Sequence, residues 1–424
     1  MSEPFLHSLG KHFEENLQEI GPLQKMIREK AWDRFLERGL PTKKMAGYQY
    51  LPLSQFYQES FDLAGSPEID PARLESYIHP HSQRSHVVFV NGQYRPELSD
   101  MSGVPEKVVV RPLKDALNGY GNFLQMRLCR TLEEEVDPFV LLNIALIQMG
   151  LFIYVPPKVV VEAPIQTIHL GANEQPMIFS PRTHCFLGAH AKMEWMSRHH
   201  HLTDFDYFSN GVMDVVLEEG AQFHKMEIIS PSKHGWHFEA LRATLKRDSH
   251  LHTLSMTRGA KAVRQDFHVD LMGENASCNL KGGAILSDSK QAHVNVLIDH
   301  RAPDCQSSQC FKNIVADVSR SSFEGKIYVH PAAQKTDAYQ LNNNLILGER
   351  AMANSKPNLE VFADDVKASH GATVSQLNAE HLHYLKTRGI GEKEGKQLLL
   401  SGFTLDLLRE IPIPAMQDLM EAQV

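Results

Sequence analysis

Between residues 187 and 286 one short phrase recurs four times, each copy a small or glycine-containing turn followed by alternating apolar residues. The copies are LGAHAKMEW (187–195), EEGAQFHKMEI (218–228), KRDSHLHTLSM (246–256) and GENASCNLKGGAIL (273–286), and their starts are 31, 28 and 27 residues apart. Alternation within the phrase is the period of a strand. A unit of this length cannot bury its own apolar face, so each copy needs its neighbour as cover. That limits the region to a β-solenoid or stacked hairpins. The irregular spacing leaves a β-helix and a sandwich both open.

The β rhythm extends in both directions. Upstream, Ile153, Val155, Val159, Val161, Ile165, Ile168 and Leu170 form short pieces broken by Pro156, Pro157 and Pro164, which disfavours helix. Downstream come FEGKIYVH (323–330), LNNNLIL (341–347) and NLEVFADDVKASHGAT (358–373). The predicted division is a mixed N-terminal region over 1–150, a β core over 151–377 and a helical module over 378–424. In the first region Phe5, Leu9, Phe13, Leu17 and Ile20, then Leu23, Met26, Ile27, Ala31 and Phe35, have amphipathic helical spacing, with Gly21-Pro22 between the two helices. Asn91-Gly92 marks a two-residue hairpin, and Pro138 must begin a helix rather than continue one. In the last region Asn378 is the N-cap of a helix over 379–387 that stops at Arg388-Gly389. A second helix over 392–403 and a short one over 405–409, ended before Pro412, follow. Helices on both sides of a solenoid are expected to cap its open ends.

Composition narrows the function classes. The chain has 424 residues, with 43 Lys and Arg against 51 Asp and Glu, so its net charge of −8 argues against nucleic acid as a partner. The most apolar stretch, Phe139–Met149, is interrupted by Asn143 and Gln148 and is too short to span a membrane. Glu3, Glu14 and Glu15 do not fit a signal or transit peptide, and the expected location is the cytoplasm. Cys129, Cys185, Cys278, Cys305 and Cys310 form no CxxC pair and read as free thiols.

The common catalytic signatures are absent: there is no GxxxxGK[ST], GxGxxG after a strand, HExxH or GxSxG. His199, His200, His201, His234, His237, His250 and His252 gather in one part of the β region, but without carboxylate or cysteine partners at ligand spacing they are expected to be surface or turn residues. CQSSQC (305–310) is too loose for a zinc knuckle and reads as a loop. Asp364-Asp365, on adjacent strand positions, would point to opposite faces. Asn342, Asn343 and Asn344 suit a stack of amides at a solenoid corner. His370, between Ser369 and Gly371 at the end of the last β segment, has a neighbour without a Cβ, which leaves room for a close approach.

KTDAYQLNNNLIL (335–347), KPNLEVFADDVKASHGATVSQL (356–377) and HYLKTRGI (383–390) together resemble the SufB/SufD family of iron–sulfur cluster assembly proteins. GLPTKK (39–44), YLPL (50–53) and FVNGQYRPELSD (89–100) are similar to further segments of it in the same order. SHGAT (369–373) resembles the SufD branch, where SufB would carry an EHEAT-type sequence. The resemblance implies a mainly β fold with a right-handed parallel β-helix core, an N-terminal α/β region and a C-terminal helical region. It implies a scaffold with no enzyme activity of its own. SufB-like and SufC-like subunits would be its partners, the ATPase activity would belong to SufC, and the isolated chain could form a homodimer.

By that resemblance the C-terminal module docks SufC through Tyr384, Leu385, Arg388 and Gly389 of the motif and through Leu398, Leu399 and Phe403. His370 matches the family histidine at the SufB interface, where a transient iron–sulfur cluster or iron would be held, with no permanently bound cofactor. Two departures stand out. Ala368 replaces a cysteine common two residues before that histidine, and Met45-Ala46-Gly47-Tyr48 replaces a charged, tryptophan-containing stretch. The competing readings are a β-solenoid carbohydrate-active enzyme and a SufB-like homodimeric cluster scaffold.

Overall fold

The structure is a computed structural model that describes residues 4–17, 21–63, 65, 67–147, 150–230 and 232–409. Ile20, Gln148 and Pro412, used in the sequence reading, lie outside these residues, as does the side chain of Cys129. Eight strands run parallel in one sheet: Leu151–Val155, Arg182–Leu187, Tyr207–Leu217, Gly235–Leu245, Ala262–Leu271, Gln291–His300, Arg320–Val329 and Met352–Val361. Eight more run parallel in a second: Ile165–Gly171, Lys192–His201, Gln222–Ile229, His250–Thr257, Ser277–Leu286, Gln306–Val315, Thr336–Ile346 and Val366–Gln376. The chain passes from one sheet to the other at each corner, which makes a parallel β-solenoid of about eight turns.

The recurring phrases are stacked strands of the second sheet. Lys192 pairs with Gln222, Gln222 with His250 and His250 with Ser277, steps of 30, 28 and 27 residues. One corner of every turn but the last is a left-handed residue: Lys158, His190, Gly220, Asp248, Asn275, Asp304 and Lys335 all have φ between 54° and 64°. Each donates its backbone N–H to a carbonyl of the next coil, as from Asp248 to Glu274 at 3.0 Å and from Asn275 to Pro303 at 3.1 Å. Asp and Asn tolerate this conformation better than most residues, so the corner ladder is written into the sequence at single positions.

Alternation decides what faces the lumen. Val215, Leu217, Phe223, Leu245, Leu251 and Leu280 point inward and are buried. The opposite rows carry the flanking helices. Phe208, Trp236 and Phe238 on the outer face of the first sheet receive Phe5, Phe56 and Phe139, with ring centroids 4.9 Å apart for Phe56–Trp236. Helix Pro138–Leu146 begins at the proline, as expected, and Asp137 caps it by accepting from Phe139 N–H. Asp137 also accepts from Tyr48 Oη at 2.7 Å and from Arg264 Nη2 at 2.7 Å, tying the helical layer to the sheet.

On the outer face of the second sheet, Leu407 of helix Glu392–Arg409 packs among Met196, Met226, Ile228, Leu254 and Met256. This helix runs unbroken through 404, so the two segments expected over 392–403 and 405–409 are one. The flanking helices therefore cover the sides of the solenoid, which corrects the expectation that they cap its ends. At the N-terminal end, edge strands do that work. Gln93–Tyr94 folds back antiparallel on His86–Val90 through Asn91-Gly92 (φ 48° and 78°), and Val109–Pro112 lies antiparallel to Leu151–Val155.

Candidate functional site

Among the described residues, none covers the C-terminal end of the solenoid. Strands Met352–Val361 and Val366–Gln376 each pair on one side only, and no described residue pairs with their outer edges. Tyr339, Leu341, Met352, Phe362 and Val374, all in the last two coils, are each more than a third exposed. Long, bare, partly apolar edges are what isolated proteins avoid and interfaces use.

His370 sits on this end. The row that faces inward in strand Thr336–Ile346 is Ala338, Gln340, Asn342 and Asn344, all buried, and the register continues it as Ala368, His370, Ala372 and Val374. His370 thus occupies a lumenal position, exposed because no coil follows. Beneath it the lumen is polar. Gln340 Nε2 donates to Gln309 Oε1 at 2.9 Å, Asn344 Nδ2 to Asn342 Oδ1 at 2.7 Å and Asn313 Nδ2 to Asn344 Oδ1 at 2.8 Å. Asn342 and Asn344 therefore lie mid-strand inside the solenoid rather than at a corner. A Cβ on Gly371 would meet only Leu341 Cδ1, at 3.3 Å, so the backbone beside His370 is open to approach.

This row supplies one nitrogen donor, the His370 imidazole. Ala368 and Ala372 have no ligand atom, and an iron–sulfur cluster takes up to four protein ligands, so this end by itself is part of a site. Three of the described thiols, Cys185, Cys278 and Cys305, do not complete it. Cys185, Cys278 and Cys305 are buried and free, and burial pushes all three thiols up, that of Cys305 to about 11, so they stay protonated. CQSSQC is not a loop. Its residues 306–310 lie in strand Gln306–Val315, with Cys305 Sγ 3.2 Å from the Gly273 carbonyl and Cys310 packed against the outer cluster at Leu407. Asp364 and Asp365 lie in the turn between the last two strands rather than on one.

The C-terminal helices form a hairpin. Asn378 caps Ala379–Thr387 by accepting from Glu380 N–H at 2.8 Å. Gly389 (φ 84°) ends that helix in a Schellman motif, with Ile390 N–H bonded to Leu385 O and Gly389 N–H to Lys386 O. Gly395 is buried where the two helices meet, and a Cβ there would lie 3.1 Å from Leu382 Cδ1 and 3.5 Å from Leu385 Cδ1. Leu385 and Gly389 thus build the hairpin. Tyr384 and Leu398 are free of it, 57% and 50% exposed, and the exposed Arg388 lies over the Tyr384 ring at 5.1 Å. Leu399 is half-buried. Phe403 is also half-buried and faces home: Lys312 Nζ lies 5.3 Å from its ring and donates to its carbonyl at 2.9 Å.

The histidines expected on surfaces and turns include a lumenal group. His199 and His237 are 4% and 1% exposed, and Glu239, two residues from His237, lies beside them. Burial pushes His237 down to about 4 and Glu239 up to about 7. The carboxylate partner was hidden because it comes through strand alternation rather than ligand spacing, a signal that HFE at 237–239 carries only once that strand's inward face is known. His250 and His252 lie elsewhere, His250 exposed on Ser277 and His252 half-buried near His224, and His234 is half-buried beside Asp206.

Residues 169–403 match the family model described as SUF system FeS cluster assembly, SufBD core domain, and residues 8–167 match the SufBD protein N-terminal region. An iron–sulfur cluster assembly SufBD family protein of Synechocystis is 27% identical over 404 residues, covering 92% of this chain and 88% of its own. The iron–sulfur cluster assembly protein SufD of Escherichia coli is 29% identical over 381 residues, with 88% and 86% covered. A chloroplastic protein of Arabidopsis thaliana, ABCI7, is 31% identical over 215 residues, half of this chain and 45% of its own.

Proposed function

The chain belongs to the SufB/SufD family of iron–sulfur cluster assembly proteins, and from that premise we propose that it is a SufD-type scaffold subunit without catalysis of its own. In this reading it pairs end to end with a SufB-like subunit and docks a SufC-like ATPase. The observation that carries it is the bare C-terminal end of the solenoid. Two edge strands of ten and eleven residues offer unpaired backbone groups beside exposed apolar side chains, and a second solenoid end can satisfy both at once.

His370 lies on the lumenal row of that end and becomes a ligand shared across the junction. The cluster is cargo here, and the imidazole supplies one of its ligands while thiolates come from the partner. The buried, protonated Cys185, Cys278 and Cys305 support that division. For SufC docking, Tyr384 and Leu398 are the exposed apolar groups of the helical hairpin, with Arg388 over the tyrosine ring. No nucleotide motif occurs in this chain, so the nucleotide cycle belongs to the ATPase subunit. Without its partner the same end can pair with a second copy, which covers the edge equally well. No described helix is long and apolar enough to cross a membrane.

The test is anaerobic reconstitution of the chain coexpressed with SufB-like and SufC-like subunits, comparing wild type with His370→Ala. Once both give the same complex by size exclusion, cluster absorption and iron content should fall sharply in the variant. Unchanged cluster content would remove His370 from the site.

A further inference from the structure

In the coils built from residues 165–245 one part of the otherwise apolar lumen is polar. Strand Lys192–His201 of one sheet brings His199 inward against His237 and Glu239, which strand Gly235–Leu245 of the other sheet presents on its own inward row. The two imidazoles meet edge to face with centroids 4.6 Å apart, and the donor atoms of all three residues lie within 4.8 Å of one another. His237 Nε2 is 3.1 Å from Glu239 Oε1, yet neither ring nitrogen of His237 nor that oxygen makes a hydrogen bond of acceptable geometry. Buried polar atoms in that condition are costly, by roughly 1–3 kcal/mol each, unless something else satisfies them.

Two further features fit a ligand rather than a packing accident. Gly211, opposite Glu239 in the register of the first sheet, leaves the space the carboxylate fills: a Cβ there would lie 2.2 Å from Oε2. Behind His199, Nε2 lies 3.4 Å from Glu227 Oε1, and Lys225 Nζ holds Glu227 at 2.8 Å. A carboxylate behind an imidazole is the arrangement that fixes the ring and tautomer of a metal-bound histidine.

We propose that His199, His237 and Glu239 form a metal-binding site inside the solenoid that takes a divalent first-row cation. Two imidazoles and one carboxylate with open positions match ferrous iron best, and zinc next. Donors about 2.1 Å from a tetrahedral or octahedral cation stand about 3.0–3.4 Å from one another. The 3.1 Å pair already fits, and His199 has to draw in toward it. The site lies on other coils than His370 and does not depend on how the solenoid end is used.

The test is titration of metal-stripped, full-length protein with Co²⁺ by visible absorption. One equivalent should bind with ligand-field bands and no thiolate charge-transfer band, and His237→Ala and Glu239→Gln should each weaken binding at least tenfold while changing the exposed histidine of another coil, His250→Ala, leaves it unchanged. Absence of binding, a thiolate band, or full affinity in both lumenal variants would overturn the proposal. Should the variants fail to fold by circular dichroism, X-ray absorption of the cobalt-loaded wild type decides. Nitrogen and oxygen scatterers with an imidazole pattern are expected, and sulfur scatterers or an all-water shell would overturn the proposal.

Discussion

His370 stands directly over Gln340 in the register of the last two strands, and Gln340 in turn bonds to Gln309 at 2.9 Å. The exposed histidine therefore rests on a buried amide ladder, and the two residues answer different questions. Gln340→Ala removes a buried hydrogen bond and leaves the Gln309 oxygen unpaired, which should cost about 1–3 kcal/mol in urea denaturation. His370→Ala should stay within about 0.5 kcal/mol, because its side chain is exposed. Equal losses would mean that His370 is held by its own chain rather than offered to another.

Asp137 joins the helical layer to the solenoid. It caps helix Pro138–Leu146, accepts from Tyr48 and pairs with buried Arg264. Asp137→Ala should cost about 2–4 kcal/mol, since it removes the helix cap and leaves buried Arg264 with Asp266 as its remaining carboxylate. Asp137→Asn, which keeps an acceptor for the cap, should cost less. Denaturation midpoints measured side by side check the order.

Acid sensitivity should arrive in two windows. Burial pushes His300 down to about 4, so it is neutral in the fold, and its unfolded value is about 6.5. A lowered histidine gives stability that is complete above the unfolded value and lost as pH falls toward the folded one. By pH 5 this amounts to about 2 kcal/mol. His300→Gln should therefore flatten the stability profile between pH 7 and 5. Asp266 belongs to the lower window: although burial opposes it, Arg264 and Arg242 hold its carboxyl well below the usual range, and its contribution fades only as pH falls below about 4.

Docking of the ATPase subunit is best tested with point changes. Removing 378–424 would also strip Leu407 from Met226, Ile228, Leu254 and Met256 and expose that apolar face. Tyr384→Ala and Leu398→Glu alter exposed positions and should leave the melting temperature within about 2 °C. Co-purification of the SufC-like subunit should be lost. Phe403→Ala should act the other way, lowering stability through its contact with Lys312.

The solenoid was legible because its repeat survives in single residues: Asp248 and Asn275 at left-handed corners, and alternating apolar rows between them. Asn91-Gly92, Pro138 and Asn378 fixed a hairpin and two helix starts through local chemistry that needs no tertiary partner. What stayed hidden depends on which row faces in. Asn342 and Asn344 could be placed at a corner or inside with equal logic, and His199 meets Glu239 only after two sheets close around one lumen. The uncovered end was equally invisible. Helices follow the last strand in sequence, and only the packing of Leu407 onto the sheet's side shows that they do not cap it.

In the proposed scaffold, strands 352–361 and 366–376 form the junction with a second solenoid. Amide hydrogen exchange of the chain alone and in the assembled complex with its SufB-like and SufC-like partners tests it most directly. Both edge strands should gain strong new protection in the complex, with little change in the inner coils. Unchanged exchange of these edges in a complex shown to be intact would contradict it.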